Sequence, residues 1–310
     1  MDLDFSVVIP LYNKAPYIAT AVQSALDQVG VSIEIIVVDD GSTDDGADVV
    51  NSMADPRIRV IRQPNGGVSS ARNNGSKQAS APYIAFLDAD DSWHKQHLVT
   101  LKHLTDQRTQ CGIFGSGYLE YNDLSEISDA LASTVDVESS RIEPVSLPLL
   151  SHGICNGRSP FWTSALAVKK SAFVETGGFD EAFSHGEDVA VWLAITAAHG
   201  GVASDAKTAY YYRGDASSLT QRLVRADGTM DLVNRLLKDS KWSTAERNAM
   251  QSISDHFAIS HASSALRTHN NKTACRTFLS GVYKRNKRWW LLAIASVLPK
   301  PLLTALAKLR

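Results

Sequence analysis

Short apolar runs of strand length alternate with amphipathic stretches along the first third of the chain. FSVVIP is β-branched and closed by Pro10, and Lys14 to Gln28 then carries Ile18, Val22, Ala25 and Leu26 at helical spacing. EIIVVDD is a second apolar run ended by the turn-rich GSTDDG, and a helix is predicted over Ala47 to Met53, beginning among Asp44 and Asp45. IRVIRQ reads as a third strand, Val68 to Ala79 as a helix opened by Gly66-Gly67, and APYIAFLDADD as a fourth strand that runs into carboxylates. Strands joined by helices imply parallel pairing, because parallel neighbours need crossover connections. The predicted class is therefore α/β, with a Rossmann-like, mostly parallel sheet flanked by helices. In such sheets ligands gather beyond the carboxyl ends of the strands, where Asp39-Asp40 and Asp88 to Asp91 both fall.

The later chain is less regular. Asp123 to Pro148 is polar and Ser-rich and reads as a surface excursion or flap. SALAVKKSAF resembles a strand feeding a helix, GGFDEAF is a turn, and SHGEDVAVWLAITAAHG opens a helix with Glu187 and Asp188 in its first turn. KTAYYYRGD returns to strand-like composition, and Thr229 to Tyr283 is mainly helical. The division expected is a domain over 1–222 and a C-terminal helical region over 223–310, with no internal repeat.

Composition narrows the partners. The 310 residues carry 31 Lys+Arg against 33 Asp+Glu with 44% hydrophobic residues, a globular balance that argues against nucleic acid as partner. Cys111, Cys155 and Cys275 are scattered, with no CxxC spacing for zinc or redox work, so a reducing, cytoplasmic setting is expected. MDLDFSVVIPLYN has no basic n-region and is not read as a secretory signal. In KRNKRWWLLAIASVLPKPLLTALAKLR, the run Trp289 to Leu298 is too short for a bilayer span, which takes ~20 residues. Basic residues beside paired tryptophans suit a helix lying peripherally on an anionic membrane, or equally one packed on the main domain or on a second subunit.

Asp88, Asp90 and Asp91 repel one another, so a cation or strong donors must lie nearby. SVVIPLYN, IIVVDDGSTD, NGGVSSARNNG, YIAFLDADD, GGFDEAF and HGEDVAVWL, in this order over roughly Phe5 to Thr220, resemble the family 2 inverting glycosyltransferases, whose fold is of the GT-A type. The resemblance implies transfer of a sugar from a nucleotide-diphosphate donor, UDP-linked in the commonest case, with Mn²⁺ or Mg²⁺ as cofactor. Such cations accept few carboxylates plus phosphate oxygens, which DAD can supply. On this reading Asp90 binds the metal, while Asp88 reaches the ribose or a metal-bound water. In an extended segment these two side chains share one side and Asp91 points elsewhere or begins the next helix. The plainer alternative is that DADD caps a helix starting at Ser92.

Pro10, Tyr12, Asn13 and Ala89 belong to the expected nucleotide-sugar site, with Asp39 or Asp40 accepting from a base N–H or ribose hydroxyl. Arg72 is expected near the diphosphate, where a guanidinium binds phosphate oxygens bidentately. The family's catalytic base is the Asp of the ED pair, here Asp188, with Glu187 orienting the acceptor or biasing the base. In YYYRGD the family frequently has His where this chain has Asp215, so Arg213 is the phosphate candidate of that block. Trp93 and Trp162 are either sugar-stacking or core residues.

The acid pair also suggests a receiver domain, but receivers carry it after their first strand in a far shorter chain. A nucleotidyltransferase needs a basic Gly-rich loop, and none follows the first strand. A non-catalytic nucleotide-sugar-binding protein need not keep both DAD and ED. Transfer onto a glycan or lipid-linked glycan in cell-surface polysaccharide synthesis is therefore expected, with transfer to polyprenyl phosphate the nearest rival. An oligomer is compatible with all of this.

Overall fold

In a computed structural model, residues 2–183, 186–213, 228–238, 241–267, 272–280, 282 and 287–296 are described. The chain begins β1 (Phe5–Leu11), α1 (Ala15–Leu26), β2 (Ile33–Asp39), α2 (Gly46–Ser52), β3 (Ile58–Arg62), α3 (Val68–Gln78) and β4 (Tyr83–Phe86). The pattern-derived strands and helices are all present within a few residues. β1 to β4 pair in parallel in the order β3-β2-β1-β4. Val7, Val8 and Ile9 of β1 are fully buried, so both faces of the strand are covered, as a parallel interior strand requires. α3 lies close against this strand because Gly75 has no side chain; a Cβ there would meet Val8 Cγ1 at 2.4 Å.

The second half of the sheet comprises β5 (Ser92–Trp93), β6 (Ile113–Tyr121), β7 (Ile142–Val145), β8 (Leu166–Lys169) and β9 (Gly201–Tyr212). The order continues β4-β8-β6-β9-β5, with β7 on β9. β8 runs antiparallel to both β4 and β6, whereas β6 and β9 are parallel. The sheet is therefore mixed, a GT-A-like arrangement. The helices of this half are α4 (His97–Gln107), α5 (Ser128–Ala132), α6 (Leu147–Cys155), α7 (Lys170–Glu175) and α8 (Glu187–His199).

Two readings of the sequence are corrected here. The 123–148 segment is not wholly a surface excursion: its end forms β7, an edge strand that tolerates Pro144, and leads into α6, where Leu147 and Leu150 are buried. The DADD acids do not cap a helix at Ser92 either, because Ser92 and Trp93 form β5 and α4 begins only at His97.

α9 (Gly228–Leu236), α10 (Thr244–Arg267), α11 (Lys272–Ser280) and α12 (Lys287–Ala295) follow. Val233 of α9 and Met250 and Ile253 of α10 join the core that covers one face of the sheet. Farther along α10, Ala262 and Ala265 pack with Cys275 and Leu279 in a satellite core. On α12, Trp289 Nε1 donates to Leu279 O at 2.9 Å, while Trp290, Leu291 and Ile294 are exposed. Among the described residues no helix is long and apolar enough to cross a membrane. The boundary expected at 222/223, Asp215 and the tail beyond Ser296 lie outside the described residues.

Candidate active site

The strand-end loops are fastened to one another before any ligand arrives. Asp40, after β2, accepts the Gly66 and Gly67 N–H groups and the Gln63 amide, each at 2.8 Å. Both its oxygens are thus committed to holding the loop that starts α3. Asp39 accepts the Ser42 N–H at 2.9 Å and lies 3.8 Å from Arg62. Asn13, in the left-handed region at φ 51°, accepts from the Thr43 N–H at 2.8 Å, which joins the loops after β1 and β2. Pro10 is half-buried near the end of β1, and Tyr12, just after the strand, is half exposed.

The acidic tetrad is a turn rather than a continuation of the strand, with the Asp91 N–H donating to Asp88 O at 3.0 Å. The expectation of an extended DAD segment is therefore corrected, and its side chains diverge. Asp88 meets Arg72 Nη2 at 2.6 Å, and Asp90 meets Lys14 Nζ at 2.8 Å. Asp91 turns inward and accepts the Tyr212 N–H at 3.0 Å, binding the tetrad to the end of β9. Ala89 between them is buried, and the Asp88 N–H donates to Ser164 Oγ at 3.1 Å.

Arg72 joins the two halves of the sheet. It is 5% exposed, reaches Glu187 Oε1 at 3.7 Å as well as Asp88, and lies over the Phe179 ring at 5.2 Å. A direct phosphate contact would require it to leave one of its carboxylates. Asn73, the next residue, exchanges two hydrogen bonds with the Phe179 backbone at 2.7 and 3.0 Å, imitating a strand neighbour. It also donates to Glu181 at 2.9 Å, so α3 holds the GGFDEAF turn ahead of α8.

At the start of α8, Gly186 adopts φ 69° and its carbonyl accepts from Thr229 Oγ1 at 2.9 Å. Glu187 and Asp188 follow in the first turn, where the helix dipole favours acids. Burial nevertheless pushes the Glu187 carboxyl up to about 7, helped by Asp188 and opposed by Arg72. Burial raises Asp188 as well, against the pull of Arg72. Burial also raises Asp90, where Lys14 pulls down and Asp88 pushes up. For Arg72, burial works against the charge, but Asp88, Glu187 and Asp188 outweigh it and lift the guanidinium above its ordinary range.

Among the described residues no three His, Cys, Asp or Glu side chains converge into a protein-only metal cage. The donor set is still a fit for Mg²⁺ or Mn²⁺ in partnership with phosphates: a hard carboxylate at the rim, Asp90, already paired with the Lys14 cation.

Arg213, at the end of β9, pairs with Glu120 at 2.5 Å and is exposed. Trp93 proves to be core, 1% exposed, with its indole N–H on Ser164 O at 2.5 Å. Trp162 is half-buried and packs against Tyr118 and Tyr211, with ring centroids 5.3 and 4.6 Å away. The sequence reading missed Lys14, Asn73 and Ser164. Asn73 lies inside the quoted NGGVSSARNNG and Lys14 directly follows SVVIPLYN, but their partners come from strands and turns far along the chain.

The sheet order is GT-A-like, with acids after β2 and β4 and at the start of α8. Residues 6–145 match the family described as Glycosyl transferase family 2. It is 42% identical over 115 residues to "Uncharacterized glycosyltransferase EpsJ" of Bacillus subtilis, covering 36% of this chain and 33% of that protein. It is 44% identical over 88 residues to the chondroitin synthase of Pasteurella multocida, covering 28% of this chain and 9% of the other. The matched stretch spans 9–38% of the length of such curated relatives. The fold resembles S. aureus TarS 1-349 in complex with UDP-GlcNAc, with a TM-score of 0.70 at 19% identity over 94% of this chain and 84% of that one. It also resembles a Pyrobaculum calidifontis mannosyltransferase in complex with GDP-Man and Mn²⁺, with a TM-score of 0.59 at 17% identity over 99% of this chain and 79% of the other.

Proposed function

We propose that the chain is a metal-dependent, inverting glycosyltransferase that moves a sugar from a UDP-linked donor to a hydroxyl of a glycan or glycolipid, in the synthesis of cell-surface polysaccharide. The observation that carries this reading is the Arg72 tie, which sets Asp88 of the donor turn and Glu187 of the acceptor-side helix against one guanidinium. Chemistry at an anomeric carbon needs those two groups of acids in one crevice.

The nucleoside lies beside Tyr12 and the end of β2, with Asp39 or Asp88 accepting from ribose or base. Asp40 fits less well as a ligand contact, since its oxygens hold Gly66 and Gly67. Asp90 would hold the divalent cation, which neutralises charge on the departing diphosphate when bound. Asp188 takes the proton of the acceptor hydroxyl. The freed oxygen forms the new bond to the anomeric carbon, the bond to the diphosphate oxygen breaks with its electron pair, and the configuration inverts. Arg213, exposed just beyond β9, is the further candidate for the diphosphate.

Glu187 carries a second reading of the base, favoured by its carboxyl titrating near neutrality. Asp188→Asn and Glu187→Gln, assayed at saturating donor and acceptor, separate the two. Removal of the base costs transfer ~10²–10⁴-fold, and the other substitution costs much less. The acceptor is a growing glycan or lipid-linked glycan rather than polyprenyl phosphate, and the exposed face of α12 rests on the cytoplasmic membrane surface. A screen of nucleotide sugars for metal-dependent donor hydrolysis tests the whole reading. No hydrolysis with any of them would reject catalysis in favour of a nucleotide-sugar-binding role.

A further inference from the structure

The acids that follow β4 are each met by a different device. Asp88 pairs with Arg72, whose side chain is only 6% exposed and so sealed in place. Asp91 is buried and accepts the Tyr212 N–H, a fixed backbone donor. Asp90 is met by the Lys14 ammonium at 2.8 Å, and both side chains of this pair remain 23% exposed. A partly hydrated ammonium on a flexible four-carbon stem exchanges partners more readily than a buried guanidinium does.

The stem is flexible but its root is held. Lys14 caps α1, and its carbonyl accepts from the Tyr17 and Ile18 N–H groups, each at 3.0 Å. The residues on either side are tied to the loop after β2: the Asn13 N–H donates to Ser42 Oγ at 3.1 Å, and the Ala15 N–H to Asp44 Oδ2 at 2.9 Å. The Tyr17 ring lies 5.4 Å from the ammonium and packs against Tyr212, whose N–H holds Asp91. The root of the side chain therefore stays at the ends of β1 and β2, and only its charged end is free to move.

An ammonium and a divalent cation on one carboxylate repel each other, which disfavours both there at once. A nucleoside diphosphate brings more negative charge than one such cation cancels. Its phosphate oxygens are acceptors that an ammonium can take on leaving a carboxylate.

We propose that Lys14 occupies the metal position on Asp90 and gives it up when a nucleoside diphosphate is present to receive its ammonium. This rests on the transferase reading, in which Asp90 holds the cation, and adds to it a residue that makes metal and nucleotide bind together. Metal alone must displace the lysine with nothing to receive it, and so binds weakly. By linkage, the nucleotide gains from the metal the same factor that the metal gains from the nucleotide.

Lys14→Met tests this, with Lys14→Arg as the variant that keeps the charge. Mn²⁺ is titrated into the full chain with and without UDP, following the electron paramagnetic resonance signal of the free ion. UDP should tighten Mn²⁺ binding by the parent at least about tenfold. Lys14→Met should bind Mn²⁺ alone about tenfold or more tighter than the parent does, and the gain from UDP should shrink by a similar factor. Lys14→Arg should keep Mn²⁺ weak in the absence of UDP. Melting curves check that each variant is folded, and Lys14→Gln replaces Lys14→Met if the latter is not. Parent-like Mn²⁺ affinity without UDP in the uncharged variant, alongside loss of Mn²⁺ binding in Asp90→Asn, would overturn the proposal and leave the metal assignment standing. Mn²⁺ binding that is unchanged in Asp90→Asn, or absent from the parent even with UDP, would overturn both. UDP binding that needs no metal in the parent and is lost in Lys14→Met would also overturn the proposal, because the lysine would then serve in place of the cation.

Discussion

The two halves of the sheet treat their acids differently. In the parallel half, the carboxylates after β2 are met by donors from neighbouring loops: Asp40 by two backbone N–H groups, Asp39 by one. In the other half, Glu187 and Asp188 are raised by burial and rely on a guanidinium lent by α3, which reaches Glu187 at 3.7 Å. The first arrangement builds a rigid floor for a nucleotide. The second keeps two carboxylates in a poorly solvated place that favours proton uptake, which costs stability but suits a base.

That contrast is broken most severely by removing Arg72. Arg72→Met leaves Asp88, Glu187 and Asp188 without their shared cation, and a loss of ~3–5 kcal/mol in urea unfolding is expected, as for a broken buried pair. Because Glu187 can escape by protonation, the loss should be larger at pH 9 than at pH 5. Equal losses at both would show that the acids do not depend on it.

Asp40→Asn tests the floor. An amide cannot accept as a carboxylate does from Gly66, Gly67 and Gln63 together, so ~1–3 kcal/mol should go. Nucleotide affinity should weaken because the loop entering α3 loosens. Unaltered stability would mean that the clamp is incidental.

Glu187→Gln should act in the opposite direction. The group is raised from 4.5 to about 7 on folding. Between those values the folded state binds more protons than the unfolded, so stability falls as pH rises through that window and the deficit persists above it. At pH 8 the variant should therefore gain roughly 1–2 kcal/mol, an order-of-magnitude figure from the conversion of pKa shift to free energy. The gain should vanish near pH 4. A variant less stable than the parent at pH 8 would show that the Arg72 contact outweighs burial.

The smallest expected effect concerns α12. Leu291→Glu/Ile294→Glu changes exposed positions, so the stability should stay within the roughly ±0.5 kcal/mol range of surface substitutions. Sedimentation with anionic vesicles should be lost if that face rests on lipid. Sedimentation equal to the parent's would leave the helix a packing element only.

The parallel half was legible because buried parallel strands are continuous apolar runs and their ends are marked by Asp39-Asp40 and Asp88 to Asp91. The acidic start of α8 could likewise be placed by its charges. What could not be read was pairing at a distance. That β8 runs antiparallel between β4 and β6, or that β7 closes on β9, depends on contacts that no local period encodes. The DADD turn was misread for a related reason: composition gives three acids, but only the partners Arg72, Lys14 and the Tyr212 N–H decide where each points. Trp93 could not be told from a stacking residue until Ser164 was seen beneath it.

The central claim is a division of labour, with Asp90 serving the donor and Asp188 the acceptor. Titrating UDP with and without Mn²⁺ into the parent, Asp90→Asn and Asp188→Asn tests it most directly. Mn²⁺ should tighten UDP binding in the parent and in Asp188→Asn but not in Asp90→Asn, while all three remain folded by melting curve. Metal-enhanced binding that survives in Asp90→Asn, or is lost in Asp188→Asn, would contradict the account.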